Sequence, residues 1–197
     1  MFPTQLPEIL RVKLSEGFEI SFRLLKRGAR KAVVLIHGNL SSSLVWEDFM
    51  SKVPEDFDVV APDLRGFGDS GRRPVNATRG LRDFSDDVLG LLATLKYDSY
   101  VLVGHSMGGG VALQALLDAP SDVRVREVVL VDPLPPYGFG GTKDVYGTPC
   151  YEDYSGSGAG LVAKYNPEFI RLLKAKYTGT DHPSAPANAV KAYFAED

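Results

Sequence analysis

The chain has 197 residues, 44% hydrophobic and 24% charged, with a formal net charge of −3 and a pI near 5.6. That length supports one domain with a sizeable core. The acidic balance speaks against nucleic acid or an anionic membrane as a partner, since both favour a basic surface. The single cysteine, Cys150, excludes an intrachain disulfide and fits a reducing compartment. Residues 1–10 hold two prolines, one acid and no apolar run, unlike a signal peptide. No stretch nears the roughly 18 apolar residues of a membrane span, so the expected location is cytoplasmic.

Residues 8–15 and 18–26 predict two strands joined at Glu16-Gly17 as a hairpin. The basic cluster that follows, Lys26-Arg27 with Arg30-Lys31, is expected to be a solvated turn. Ala32–Ile36 is an uninterrupted apolar run ending at His37-Gly38. Asp58–Ala61 is a second run, Tyr100–Val103 a third and Val128–Val131 a fourth. None alternates apolar with polar residues, which predicts strands buried on both faces, as in a parallel sheet. Leu81, Phe84, Val88, Leu91 and Leu95 are spaced 3, 4, 3 and 4, one face of an amphipathic helix. Val111, Leu113, Ala115, Leu116 and Leu117 belong to another that begins near Ser106. This order predicts an α/β fold with right-handed crossovers.

After Asp132 the texture changes. Residues 133–160 are rich in Pro, Gly, Tyr and Ser without a strong period, and 167–177 and 186–195 predict short helices. The expected division is a core over 1–133 and a cap or lid over 134–197.

The third run leads into Gly104-His105-Ser106-Met107-Gly108-Gly109-Gly110, where a helix begins. This is Gly-x-Ser-x-Gly between a strand and a helix, a setting in which serine sits on a strained turn as a nucleophile. A side chain at either flanking glycine would collide with neighbouring backbone. The helix N-terminus turns free N–H groups and the positive end of its dipole toward the reacting centre. Ser106 is therefore the candidate nucleophile. The plain alternative is a glycine-rich turn with an incidental serine, and the strand and helix on either side argue against it.

Two further motifs accompany it. His37-Gly38-Asn39 closes the first run, and Asp63-Leu64-Arg65-Gly66-Phe67-Gly68-Asp69-Ser70 follows the second. In this order, over about residues 30–132, the three motifs resemble the α/β-hydrolase superfamily. The resemblance implies a mostly parallel sheet flanked by helices, with a cap insertion. It implies hydrolysis of a small carboxylic ester, lactone or related acyl compound through an acyl-enzyme, without metal or organic cofactor. It also implies an oxyanion hole made by the backbone N–H groups of Asn39 and Met107, each contributing about 3–4 kcal/mol. His37 is expected to support its loop rather than act as base, and Arg65 to tie neighbouring loops by charge-assisted hydrogen bonds. Locally, His37-Gly38-Asn39 with Ser41-Ser42-Ser43 and Trp46 looks like the corresponding loop of haloalkane dehalogenases. Their nucleophile is an aspartate, and Ser106 in its place favours acyl chemistry over displacement at an alkyl carbon. The Asn39 side chain is expected to enter the pocket and Trp46 to pack against the loop.

The catalytic base is the weak point. The superfamily order is serine, then acid, then histidine. Asp132, ending the fourth run, is the candidate acid, although most members place it one strand later. Only His182 follows Ser106, in the polar turn Asp181-His182-Pro183-Ser184, whereas the family's base follows the last strand. His105 is expected to point away from the pocket. The resemblance therefore implies that C-terminal strands of the fold are missing, roughly 60–90 residues, to be supplied by further chain or by a second polypeptide. A parallel strand left at the edge would otherwise be an open, apolar liability. The alternative function is a non-catalytic ligand-binding module or one half of a complex. Tyr137, Tyr146, Tyr151, Tyr154 and Phe139 are expected either to line an apolar pocket or to pack the cap.

Overall fold

The computed structural model describes residues 7–14, 17–134, 148, 166–188 and 191. The chain falls into two compact units, Met1–Pro136 and Tyr137–Asp197. In the first unit six strands form one sheet: β1 (Glu8–Lys13), β2 (Glu19–Leu25), β3 (Lys31–Ile36), β4 (Asp58–Pro62), β5 (Ser99–His105) and β6 (Val125–Val131). Their order across the sheet is β1-β2-β4-β3-β5-β6. β1, β2 and β4 pair antiparallel, and β4, β3, β5 and β6 pair parallel. The expected hairpin is present, with Lys13 opposite Glu19. Glu16 lies outside the described residues.

The helices are α1 (Glu47–Met50), α2 (Arg82–Leu95) and α3 (Met107–Asp118), with α4 (Pro167–Lys174) in the second unit. Among the described residues none is long and apolar enough to cross a membrane. The apolar stripe of α2 is the one its spacing predicts: Phe84, Val88 and Leu91 are buried, with Leu92 beside them. They pack with Ile20, Phe22, Val34, Ile36, Val60 and Leu102 of the sheet and Val111, Ala112 and Ala115 of α3. Each large side chain so buried contributes about 1.5–3 kcal/mol. On the opposite face Val33, Leu35, Val59, Ala61 and Val103 pack with Met50, Val53 and the half-buried Trp46. The helix α2 ends where Lys96 takes a left-handed conformation, φ 57°, a role glycine usually fills.

Two expectations need correction. The fourth apolar run is not buried on both faces. Among the described residues β6 bonds only to β5, and Val129, Leu130 and Val131 are 47%, 40% and 41% exposed. Its composition is that of an interior strand, but its position is the sheet edge: Val125 and Val128 pack on the core, while among the described residues no second ladder covers the other edge. Nor is Arg27 a solvated turn residue. Its guanidinium donates to the carbonyls of Val53, Pro54 and Phe57 at 2.9, 3.0 and 3.2 Å and to Met50 at 3.3 Å. It thereby binds the last carbonyl of α1, at Met50, together with three carbonyls of the segment that leads on to β4.

In the second unit Asn166 caps α4, its side-chain oxygen accepting from the N–H groups of Glu168 and Phe169 at 3.0 and 3.1 Å. The helix stops at Lys174, three residues short of the sequence expectation. The other expected helix is helical over 186–188 and at 191, and its remainder lies outside the described residues. So do Cys150 and the aromatic residues Tyr137, Phe139, Tyr146, Tyr151 and Tyr154.

The loop after β4 is tied to α2 by one buried ion pair. Arg65 donates to both oxygens of Asp87 at 2.6 and 2.7 Å, and to the Pro74 carbonyl at 3.0 Å. Asp83 stands 3.7 Å from the same guanidinium. Burial pushes the Asp87 carboxyl above its ordinary range, and the bonds to Arg65 only partly offset this. A buried pair broken on one side leaves an uncompensated charge, at a cost of about 3–5 kcal/mol. Arg65→Met is therefore expected to lower unfolding free energy by about that amount in denaturant titration. Adding Asp87→Leu should recover most of the loss, and a double variant as unstable as the single one would contradict this account.

Candidate active site

The strand order contains a reversal. From β3 the chain crosses to β4 on one side and then to β5 on the other. In open α/β sheets the crevice at such a switch point, outside the carboxyl ends of the strands, is where ligands bind. The register sets Ile36 opposite Gly104 and His105 opposite Val131. Gly38, Ser106 and Asp132 therefore leave their strands at one level, side by side.

Ser106 occupies the turn between β5 and α3 with φ 53° and ψ −118°, a conformation that costs a non-glycine residue about 1–3 kcal/mol. Five non-glycine residues have positive φ among the described residues, and three of them, Leu40, Ser106 and Asp132, follow the ends of β3, β5 and β6. Strain gathered in this way is characteristic of functional sites. The turn is held by its backbone: the Ser106 N–H donates to the Val131 carbonyl, and the Leu134 N–H donates to the Ser106 carbonyl, both at 3.0 Å. These two bonds bracket Asp132 and Pro133 beside Ser106. Asp132 itself is exposed.

The glycines of the turn are required by close approach. A Cβ at Gly108 would lie 2.6 Å from the His37 carbonyl oxygen, and one at Gly104 would lie 2.6 Å from Gly109 Cα. Gly38 is nearly as tight, since a Cβ there would stand 3.1 Å from Ser106 Cβ and from His105 Nδ1. The loop after β3 and the Ser106 turn thus touch through bare backbone. Asn39 and Met107 lie on either side of this contact, and Met107 opens α3, where helical N–H groups have no partner within the helix.

The loop after β3 is clamped at both ends. At its start His37 is completely buried. The Leu64 N–H donates to His37 Nε2 at 3.0 Å, and Nδ1 lies 2.7 Å from the Gly38 carbonyl. Burial lowers the ring's pKa, with the Gly38 bond and nearby Asp63 opposing. With Nε2 accepting, the proton belongs on Nδ1 and the ring is neutral. At the far end Asp63 accepts from the Ser43 N–H at 2.7 Å and from the Asp69 N–H at 2.9 Å. Buried Arg23 donates to the Ser43 hydroxyl at 2.8 Å and to Glu47 at 2.9 Å. Sequence reasoning names Asp63 only as the head of its motif and misses Arg23. A lone arginine inside the apolar strand Glu19–Leu25 was the one available signal. The Asn39 side chain is exposed and accepts from the Leu40 N–H at 3.0 Å. Trp46 packs on Phe49 with the rings tilted at 60° and their centroids 5.7 Å apart.

Within this unit His37 is engaged through both nitrogens, and His105 Nδ1 stands where a Cβ at Gly38 would come within 3.1 Å of it. His182 belongs to the second unit. There its Nδ1 accepts from the Ser184 N–H at 3.1 Å, and its Nε2 lies 3.5 Å from Glu168. Among the described residues no group of three His, Cys, Asp or Glu side chains could hold a metal ion.

Comparison with known proteins gives this geometry a context. Residues 31–148 match a family model described as the alpha/beta hydrolase fold. An uncharacterized protein of Mycobacterium bovis is 34% identical over 140 residues, 71% of this chain and 38% of that one. A 2-hydroxymuconate semialdehyde hydrolase of a Pseudomonas species is 35% identical over 132 residues, 66% of this chain and 45% of that one. Among solved structures, the epoxide hydrolase CorEH superimposes with a TM-score of 0.59 at 29% identity, covering 70% of this chain and 46% of that one. The matched part of the chain thus covers less than half the length of each of these relatives.

The steric account makes a direct prediction. Gly108→Ala should destabilise the protein by about 3 kcal/mol or more through overpacking against the end of β3. Gly28 has positive φ and open space around it, so Gly28→Ala should cost only about 1–2 kcal/mol of left-handed backbone strain. Equal losses in thermal denaturation would argue against the close contact.

Proposed function

This chain belongs to the α/β-hydrolase fold family, and we propose that it carries the nucleophile and the oxyanion hole of a serine hydrolase. The observation that carries this reading is the strained Ser106 turn set level with Gly38 and Asp132 at the switch point of the sheet. Ser106 attacks the carbonyl of a small carboxylic ester, lactone or related acyl compound. The N–H groups of Asn39 and Met107 receive the oxyanion, and water then releases the acyl-enzyme. Serine rather than carboxylate at the turn favours acyl transfer over displacement at an alkyl carbon. Asp132 is the acid that orients the base, and residues 134–197 form the cap that selects the substrate. A reducing cytoplasm suits the single cysteine.

The base is supplied by polypeptide that completes the sheet at β6. Three observations support this. The His37 ring is engaged at both nitrogens, β6 carries partly exposed Val129, Leu130 and Val131 on an edge with no further ladder among the described residues, and the matched residues cover only 38% and 45% of two relatives. That polypeptide is either further chain or a second subunit.

Two measurements test the reading. On the complete protein a fluorophosphonate probe should label Ser106, and Ser106→Ala should lose turnover by about 10⁴-fold or more. Wild-type turnover in that variant would refute the nucleophile. The 21.4 kDa chain alone should leave p-nitrophenyl acetate unhydrolysed until the completing polypeptide is added. A monomeric, fully active species of that mass would refute the completion.

A further inference from the structure

We infer that His37 is a positioning residue for the oxyanion hole: its ring holds the Gly38 carbonyl, and so turns the Asn39 N–H toward the side where Ser106 stands. The inference rests on the oxyanion role proposed for Asn39 and adds how that donor is aimed.

The peptide between Gly38 and Asn39 lies beyond the sheet ladder, which ends at Ile36 on β3. Immediately after it the chain reverses, with Leu40 at φ 54° and the Asn39 side chain closing on the Leu40 N–H. Neither strand pairing nor helix geometry therefore sets the direction of this peptide. The bond from His37 does. Nδ1 lies 2.7 Å from the Gly38 oxygen. Nε2 accepts the Leu64 N–H, which leaves the ring's only proton on Nδ1. The ring is immobilised by complete burial and by an edge-on contact with Phe67, centroids 5.4 Å apart at 69°.

The next step is covalent geometry. No peptide bond among the described residues is cis, and in a trans peptide C=O and N–H point in opposite directions. A carbonyl drawn into the core toward His37 sends the Asn39 N–H outward. Gly38 itself comes so close to the Ser106 turn that a Cβ there would stand 3.1 Å from Ser106 Cβ. The Leu64 bond is equally necessary, because it fixes the tautomer. A proton on Nε2 would leave Nδ1 as an acceptor facing a carbonyl oxygen, and the peptide would be free to turn over.

Two variants of the full-length protein separate this role from simple core packing. In His37→Asn the side-chain amide can stand where Nδ1 stands and still donate to Gly38. In His37→Gln the amide reaches the Nε2 position and serves Leu64 but not Gly38. The probe is an alkyl fluorophosphonate, read as its maximal rate of acylating Ser106 and its KI. His37→Gln should slow acylation by about 100-fold, the effect of losing one oxyanion donor, with KI within about twofold. His37→Asn should stay within about tenfold of wild type. Crystal structures should show the Gly38–Asn39 peptide rotated in His37→Gln and retained in His37→Asn. An unrotated peptide in His37→Gln, or equal slowing of both variants in step with their loss of thermal stability, overturns the inference. If wild-type Ser106 is not labelled at all, the nucleophile reading fails, and the two peptide orientations still decide the role of His37. Should neither variant fold, nitrogen NMR of the wild-type ring decides. A neutral Nδ1–H tautomer with its proton protected from exchange is expected, and an Nε2–H tautomer overturns the inference.

Discussion

The first turn of α3 rests on the end of β3 with no room for a side chain at Gly108, and the rest of the site depends on that contact. Three successive glycines, Gly108–Gly110, open the helix, each less favourable than alanine by about 1 kcal/mol in a helix interior. The fold offsets this through Val111, Ala112 and Ala115, buried one turn later. In return, two strand ends that belong to different crossovers are brought into backbone contact. Ser106 then has no freedom to shift relative to Gly38 without lifting α3 from the sheet. Strain at Ser106 is held by the same contact and by the bonds to Val131 and Leu134.

Polar groups around the loop are arranged to hold backbone rather than to react. Arg23, Asp63 and His37 are all buried, and each meets a partner supplied by another element. A buried polar group without a partner costs about 1–3 kcal/mol, so loss of one member of such a set is felt by its neighbours. Tyr97 and Asp58 do the same at the opposite end of the sheet. The Tyr97 hydroxyl donates to Asp58 at 2.6 Å, and the other Asp58 oxygen accepts from Arg27 and Ala29. Burial works against the Asp58 charge, yet these bonds hold its carboxyl below the ordinary range. Its contribution to stability is thus present above the usual aspartate range and fades as pH falls through the lowered value.

Much of this was legible in the sequence where the cause is local. Continuous apolar runs gave β3, β4 and β5, the spacing from Leu81 to Leu95 gave α2, and the glycines around Ser106 announced close backbone approach. What escaped depends on which elements become neighbours. Val128–Val131 has an interior composition, and nothing within it says that the sheet stops there. Arg27 reads as a turn residue because the carbonyls it binds lie 23 to 30 positions further on. The helix α1, four residues long, is too short to leave a period. The clamp at Ser43 joins residues from three separate segments, which no local pattern reveals.

The sources of those clamps carry a consequence for inheritance. The side chains described as restraining the loop after β3 come from residues 23 to 67, whereas the Ser106 turn is held by residues 104 to 134. The two halves of the site meet in a seam at Gly38 and Gly108, and among the described residues no side-chain hydrogen bond joins them. A replacement at position 106 can therefore arise without disturbing the neighbouring loop, and the loop can be retuned without refitting the turn. A lineage built in this way can exchange one reaction for another by altering a single residue at the seam, which suits a family whose members differ widely in chemistry while keeping one framework.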